Sequence, residues 1–388
     1  MNKNINDIII LYGPQWTGAS QMSKHHFARF QSENRKVLYV EAPVNIMSFF
    51  TRTKVALAAL NSFLSGPTRI KENLWVASYL YLLPYRGKKV FFGARWVNRI
   101  NQWIVSKFLN KDVQSLKLNN PIIFVGGAHS YDLLHLFNNS LILYHCSDDY
   151  TFVPTFPETF ADLEKDLFKK CNMVITTAEE LTVAKAQYNS NIFTVPNGAD
   201  IDFFLSTQDS QTTINDQIKN FESPVIGYVG SIFDWLNKPW IKKAAEKYKE
   251  WNFIFIGPIE TDISELKNIH NIHFYGPKEY KVLPQYLKGF SVATIPFVFN
   301  KVTLRASPIK FYEYLASGIP IVSSNLPDLK SFKDYAYLVD DYDSYEQSLF
   351  NAVNNDNHEL KNKRMNLSKK YSWTSRFKMI DKIIDDNL

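Results

Sequence analysis

SPIKFYEYLASGIPIVSS, residues 307 to 324, reads as a short helix running directly into a strand. Ser307 is of a type that caps a helix, and Pro308 suits the first helical position, where a missing N–H costs nothing. Gly318 stands where a left-handed C-terminal residue is wanted, and Ile319 to Ser324 has the apolar run of a buried strand. At the helix start the N–H groups of Ile309 and Lys310 have no intrahelical acceptor, so the aligned peptide dipoles favour an anion there, and Lys310 adds a full charge. Glu313 follows three residues after Lys310, on the same face and one turn (~5 Å) further along. A diphosphate at the helix tip would bring a ribose within reach of that carboxylate, which accepts two hydroxyl protons. The same spacing also describes an ordinary exposed i,i+3 ion pair, so the remainder of the chain has to decide between the two.

Working outward, the pattern repeats. Val225 to Val229 reads as a strand ending at Gly230-Ser231, Phe253 to Ile256 as one ending at Gly257-Pro258, and Ile272 to Tyr275 as one ending at Gly276-Pro277. Val292 to Ile295 ends at Pro296, and helices fall over Pro239 to Glu250 and Pro284 to Leu287. Strands that close in Gly or Pro and alternate with helices predict a doubly wound parallel sheet whose loops converge on one edge. Upstream, Asp7 to Tyr12, Lys36 to Val40, Pro121 to Val125, Leu141 to Tyr144, Met173 to Thr177 and Ile192 to Val195 predict a second sheet of the same kind. The polar stretch 206 to 222 reads as a linker, and Trp373 to Leu388 as a final helix crossing back. The expectation is an α/β protein with a domain over 1–205, a domain over 223–372 and a ligand cleft between them.

In the first domain, the loop Gly13-Pro14-Gln15-Trp16-Thr17-Gly18 follows the first strand, where backbone can approach a ligand. It is neither G-x-G-x-x-G nor a Walker A sequence, so no dinucleotide or ATP fingerprint is present. His129 follows the strand at 121–125, and Asp148-Asp149 follows the strand at 141–144, all beyond carboxyl ends where ligands bind in open sheets. A histidine and paired aspartates there suit acid–base work, or equally a local loop contact and a helix-cap pair. No nucleophile elbow appears. Residues 43 to 110 break the alternation: Ile46, Phe50, Leu57 and Leu64 sit among Arg52, Lys54 and Arg69, and Tyr79 to Pro84 precedes Arg86, Lys88, Lys89, Phe91, Phe92, Arg95 and Trp96. That mixture suits an interfacial membrane helix, or a buried helical pair with a solvated basic face.

The whole chain of 388 residues has room for two domains with their own cores. A net charge of +6 suits an anionic partner, whether a nucleotide or a phospholipid surface, while the dispersed cations and the lack of a recognised module argue against nucleic acid. Two cysteines without C-x-x-C spacing exclude a disulfide scaffold and point to a reducing cytosol. No run reaches ~18 apolar residues, so no membrane span is expected.

Pro196-Asn197-Gly198-Ala199-Asp200-Ile201-Asp202-Phe203-Phe204, Gly227-Tyr228-Val229-Gly230-Ser231 and the stretch 307–324 together resemble the family-4 glycosyltransferases of the GT-B fold. Trp16 to Ser20, Tyr39-Val40-Glu41-Ala42-Pro43 and Tyr144 to Tyr150 narrow the resemblance to the teichuronic acid biosynthesis branch of bacterial polysaccharide enzymes. The resemblance implies two facing Rossmann-like domains, no cofactor beyond a nucleotide diphosphate sugar as substrate, and a saccharide or lipid-linked acceptor. It implies that Glu313 binds the donor ribose and that the helix start from Ser307 to Lys310, including Ile309, binds the diphosphate. Lys238 is the nearest match to a basic residue that meets the diphosphate, with Gly230, Ser231 and Tyr275 also on the donor side; Gly13, Gln15 and Trp16 fall on the acceptor side. If the reaction inverts configuration, Asp148 or Asp149 is a candidate base, with His129 behind them; if it retains, these residues only orient the acceptor. The family often has two glutamates with seven residues between them, and Arg305 stands at the first position, which removes the usual carboxylate contact to the transferred sugar. An alternative is a metal-dependent transferase using Asp200-Ile201-Asp202; another is a non-catalytic sugar-nucleotide or lipid-binding protein. The preferred expectation is metal-independent hexosyl transfer in the cytoplasm, peripheral on the inner face of the plasma membrane.

Overall fold

The computed structural model describes residues 6–17, 21–51, 53–85, 93–137, 140–150 and 159–387. Arg52, Arg86, Lys88, Lys89, Phe91 and Phe92 of the basic-aromatic stretch, and the expected helix start at Ser20, lie outside them. In chain order the first part runs β1 (Ile8–Gly13), α1 (Ser23–Gln31), β2 (Val37–Glu41), β3 (Val44–Asn45), α2 (Ser48–Thr51), α3 (Thr53–Ser65), β4 (Thr68–Lys71), β5 (Leu74–Ala77) and β6 (Leu80–Tyr81). It continues through α4 (Arg95–Ser115), β7 (Ile122–Val125), β8 (Ile142–Cys146), α5 (Phe160–Lys170), β9 (Met173–Thr176), α6 (Glu179–Lys185) and β10 (Ile192–Thr194). The second part has α7 (Ile201–Leu205), β11 (Val225–Val229), α8 (Lys238–Lys247), β12 (Asn252–Ile256), α9 (Ser264–Lys267), β13 (Ile272–Phe274), α10 (Leu283–Leu287) and β14 (Val292–Ile295). It closes with α11 (Ile309–Ser317), β15 (Ile321–Ser324), β16 (Tyr337–Val339), α12 (Tyr342–Asn355), α13 (His358–Ser368) and α14 (Trp373–Asp385).

The chain divides into two units, Met1–Val195 with Met379–Leu388 and Pro196–Lys378. The first holds an eight-stranded sheet in the order β10-β9-β8-β7-β1-β2-β5-β4, parallel except for β4. The order reverses direction at β1, between β7 and β2, which is the switch point where ligands meet such sheets. The second holds a six-stranded parallel sheet, β13-β12-β11-β14-β15-β16, with its switch between β11 and β14. Strands buried on both faces explain the continuous apolar runs: all five residues of β11, VIGYV, are buried, as are all six of β1.

Three local expectations change. The stretch 206–222 does not hang free: Ile218 is buried in the second unit's core, its side chain lying against Gly289. Within 43–110, β5 extends the main sheet beside β2, and Tyr79, Leu80 and Tyr81 are buried, so that apolar run is interior. Finally, Pro308 itself is the N-cap of α11, with extended backbone, and Ser307 does not cap it. The buried Ser307 hydroxyl instead accepts from the Asn197 N–H at 3.3 Å and meets the Tyr312 hydroxyl at 3.3 Å. Gly318 does end α11 in the left-handed conformation, at φ 73°. The end of α14 returns to the first unit, where the Asp381 carboxylate accepts from Gln31 Nε2 at 2.6 Å.

Candidate active site

In the second unit, the loops after β11 and β12 pass very close. A Cβ on Gly257 would lie 2.0 Å from the Gly230 carbonyl oxygen, so a side chain cannot be fitted there. The Gly230 N–H donates to the Ile256 carbonyl at 2.8 Å, which leaves Gly230-Ser231 as a tight turn on the carboxyl edge. The helix α11 leaves β14 on this same edge. It is pinned to β11 by Tyr314, whose buried hydroxyl accepts from the Val229 N–H at 2.8 Å, one residue before Gly230. That bond ties the middle of α11 to the end of β11. Glu313 is buried, and one of its oxygens accepts from Lys310 Nζ at 3.1 Å. A buried carboxylate with a half-exposed lysine is a fixed acceptor with remaining lone pairs, beside unfilled helix N–H groups.

The other donor-side candidates are spread along the edge. Lys238, the first residue of α8, donates to Thr261 Oγ1 at 2.9 Å and to the Asp262 carbonyl at 2.8 Å, so its ammonium braces the loop after β12. Arg305 is half-buried in the turn before α11. Tyr275 follows β13, two strands away from β11, and its hydroxyl donates to the Gln217 carbonyl at 3.2 Å. The Asp200 carboxylate of the D-x-D stretch accepts from the Phe203 N–H as the cap of α7. Among the described residues no three His, Cys, Asp or Glu side chains are grouped to hold a metal ion.

In the first unit, the loop after β1 is held rather than open. The Trp16 N–H donates to Glu41 Oε1 at 2.6 Å, Gln15 Nε2 donates to the Ala42 carbonyl at 3.1 Å, and the Gly13 carbonyl accepts from Ala42. His25 accepts from the Met22 N–H at Nδ1, which leaves Nε2–H to donate to the Gln15 carbonyl. Burial holds this ring neutral, pushing its pKa down to about 4. At the end of β1, Tyr12 adopts φ 64°, a left-handed conformation for a bulky residue, where the register with β2 shifts. Its ring stacks on His129 at 4.7 Å, and its hydroxyl donates to Gln102 Oε1 at 2.6 Å. Burial also lowers the His129 pKa to about 4, so the imidazole is neutral.

The adjacent aspartates part company. Asp149 is fully buried, its carboxylate 2.9 Å from Lys185 Nζ, which also reaches Glu164 at 2.9 Å; Glu164 in turn accepts from the Tyr144 hydroxyl at 2.8 Å. Asp148 is half-buried and turned toward α1. Burial raises its pKa to about 6, while the Lys24 ammonium and the Tyr150 and Ser147 hydroxyls pull it back. Lys24 is itself buried, its stem lying over Gly126 so closely that a Cβ there would sit 2.6 Å from Lys24 Cε. Burial lowers its pKa and the Asp148 charge opposes that. The structure therefore brings Asp148, Lys24 and His129 to the switch-point edge of the first sheet and withdraws Asp149 into an ion cluster. Lys24, Tyr12 and Tyr314 carry no sequence signal: each acquires its role from a partner distant in the chain.

Residues 223–355 match the family model described as Glycosyl transferases group 1. TuaH of Bacillus subtilis (strain 168), named as a teichuronic acid biosynthesis glycosyltransferase, is 24% identical over 272 residues, covering 64% of this chain and 68% of that protein. Among solved structures, the sucrose-phosphate synthase of Thermosynechococcus elongatus superimposes with a TM-score of 0.72 at 11% identity, covering 98% of this chain and 99% of that one. Anabaena HepE, solved in complex with UDP and glucose, does so with a TM-score of 0.64 at 13% identity, covering 98% and 100%. The two parallel sheets and the shared architecture give this chain the GT-B fold, and its second unit is similar to the group 1 glycosyl transferases.

Proposed function

We propose that the protein moves a hexosyl group from a nucleotide diphosphate sugar to a saccharide or lipid-linked acceptor in bacterial cell-surface polysaccharide synthesis. The observation that carries this reading is α11: a buried Glu313 carboxylate one turn beyond the helix-start N–H groups and Lys310, on a helix tied to the end of β11 by Tyr314. Glu313 would accept the two ribose hydroxyls, and the helix start from Ser307 to Lys310 would take the diphosphate. Charge grows on the leaving diphosphate in the transition state, so the fixed N–H groups with Lys310, Arg305 and Lys238 would stabilise it without a metal ion. Titrating a chelator into the reaction tests that last point: undiminished turnover is expected.

If the reaction inverts configuration, Asp148 on the first unit's edge is the group suited to take the proton of an acceptor hydroxyl, with the neutral His129 imidazole behind it; if it retains, Asp148 only orients the acceptor. The TuaH likeness supports a cell-envelope product, and the UDP and glucose of the HepE structure support a nucleotide sugar donor. The free, buried Cys146 and Cys171 suit a reducing cytoplasm, and no helix of the described residues is long and apolar enough to cross a membrane, so the protein would meet a lipid-linked acceptor from the membrane face. The deciding experiment is a thermal-shift screen with UDP-, GDP- and TDP-sugars. One donor should stabilise the fold by mass action, and transfer should follow with that donor. Stabilisation with neither transfer nor hydrolysis across a broad acceptor panel would instead make it a sugar-nucleotide-binding protein.

A further inference from the structure

The helix α4 packs Val97, Val105 and Leu109 into the core, yet it also buries polar groups and exposes its two tryptophans. Its buried face includes Asn98, Asn101, Gln102 and Asp112. Each is partnered: Asn98 Nδ2 donates to Asp132 at 2.9 Å, Asn101 Nδ2 to the Leu83 carbonyl at 2.7 Å and Gln102 Nε2 to the His129 carbonyl at 2.7 Å, while Asp112 accepts from the Tyr79 hydroxyl at 2.6 Å. Its outer face holds Trp96, Ile100 and Trp103, one turn and then nearly one turn apart, with 56% and 61% of the two tryptophans exposed. The buried polar groups are satisfied, but the exposed indoles and Ile100 leave apolar surface in water, which is unfavourable. The cost disappears if the outer face does not meet water.

Charge says what it meets. Arg99, Lys107 and Lys111 are exposed among these aromatics, and the Lys107 ammonium lies 5.3 Å over the Trp103 ring. Arg99 has Asp132 only at 4.0 Å. Next to α4, joined through the Phe63 and Phe108 rings at 4.4 Å, α3 exposes Leu57 and 72% of Leu64 and contains no acidic residue. The lone carboxylate on either helix, Asp112, is buried. We propose that α4 and the adjoining end of α3 form a docking surface for an anionic lipid bilayer, with Trp96, Ile100, Trp103 and Leu64 at headgroup depth and Arg99, Lys107 and Lys111 on lipid phosphates. Amphipathic indole rings favour that depth, and clustered cations favour anionic lipid. A second copy of the chain fits poorly, because an isologous contact would set these cations against themselves. The inference goes beyond the transferase reading and stands or falls without it.

Co-sedimentation of the full chain with phosphatidylcholine vesicles, with and without about 30% phosphatidylglycerol, tests it. The protein should pellet with the anionic vesicles, weakly with the neutral ones, and less as salt rises. The double variant Trp96→Ser, Trp103→Ser should lower the partition coefficient roughly tenfold with an unchanged melting temperature, since both side chains are exposed. The triple variant Arg99→Gln, Lys107→Gln, Lys111→Gln should do the same for anionic vesicles alone. Equal pelleting with and without phosphatidylglycerol, or binding untouched by both variants, overturns the proposal. So does a dimer in analytical ultracentrifugation that the tryptophan variant dissolves.

Discussion

The two sheets present opposite kinds of carboxyl edge. In the second unit the edge is made of glycine turns and helix starts, and its charged groups, Lys310 and Lys238, keep part of their surface in water. In the first unit the edge carries buried titratable groups, Lys24, His145 and half-buried Asp148 and His129, several with displaced pKa values. A diphosphate needs fixed dipoles and cations that remain charged, which the first arrangement supplies. A proton transfer needs a group whose charge is made expensive, which burial supplies. The contrast is one of desolvation rather than of residue type.

Several substitutions would break or sharpen this contrast. The largest effect should come from separating the two aspartates. Asp148→Asn should keep the melting temperature near that of the parent and lower turnover by about 10²–10⁴, the usual weight of a general base. Asp149→Asn should instead cost about 3 kcal/mol of stability, seen by chemical denaturation, because it leaves Lys185 with Glu164 alone inside the fold. If the two variants behave alike, the edge does not divide as described. Next, Glu313→Gln should weaken donor binding by roughly 10–100-fold, read by calorimetry with the donor found in the thermal screen, because hydrogen bonds to a charged acceptor are the strong ones. Unchanged affinity would remove the ribose assignment.

A smaller effect is expected on the pH profile. Asp148 must be ionised to act, so turnover should rise with an acidic limb centred near pH 6. Lys24→Met removes the cation that favours the carboxylate and should move that limb upward by about one pH unit. For stability the sign is the reverse of a salt-bridged carboxylate. Between the ordinary value of 3.8 and about 6, the folded protein holds the Asp148 proton more tightly than the unfolded chain, so this group's contribution falls as pH rises through that window. The smallest effect belongs to the histidines. His129 and His25 have folded values near 4 against 6.5, so their neutral forms support the fold above pH 6.5 and that support is lost as pH falls toward 4. His129→Gln should flatten the melting-temperature profile across that range by roughly 2–4 °C.

Much of this was legible along the chain because the deciding interactions are local. The helix from Ile309 ends where Gly318 can take a positive φ, and strands such as Val225–Val229 and Val292–Ile295 announce themselves as apolar runs stopped by Gly or Pro. Those are consequences of backbone conformation and side-chain period, which a few neighbouring residues specify. The candidate site was legible only in outline. Asp148 and Asp149 are chemically identical neighbours, and what separates them is Lys185, 36 residues beyond Asp149, and Lys24, from another helix. Ser307 looked like a cap because Ser caps helices, yet Asn197, 110 residues away, holds it.

The sequence by itself determined most of the doubly wound elements of both units, though not β5 or β16, and the place of Lys310 and Glu313 on one helical face, since helix and strand periods follow from local backbone geometry. Only the tertiary structure decided which side of α4 faces inward. That helix carries apolar or aromatic residues on more than one side, and its inner face is set by Val97, Val105 and Leu109 together with hydrogen-bond partners at Asp132, Leu83, His129 and Tyr79 supplied from elsewhere. Burial, the quantity that separates a base from an ion pair and an interior face from a docking surface, is a property of everything packed around a residue, and the chain in order does not contain it.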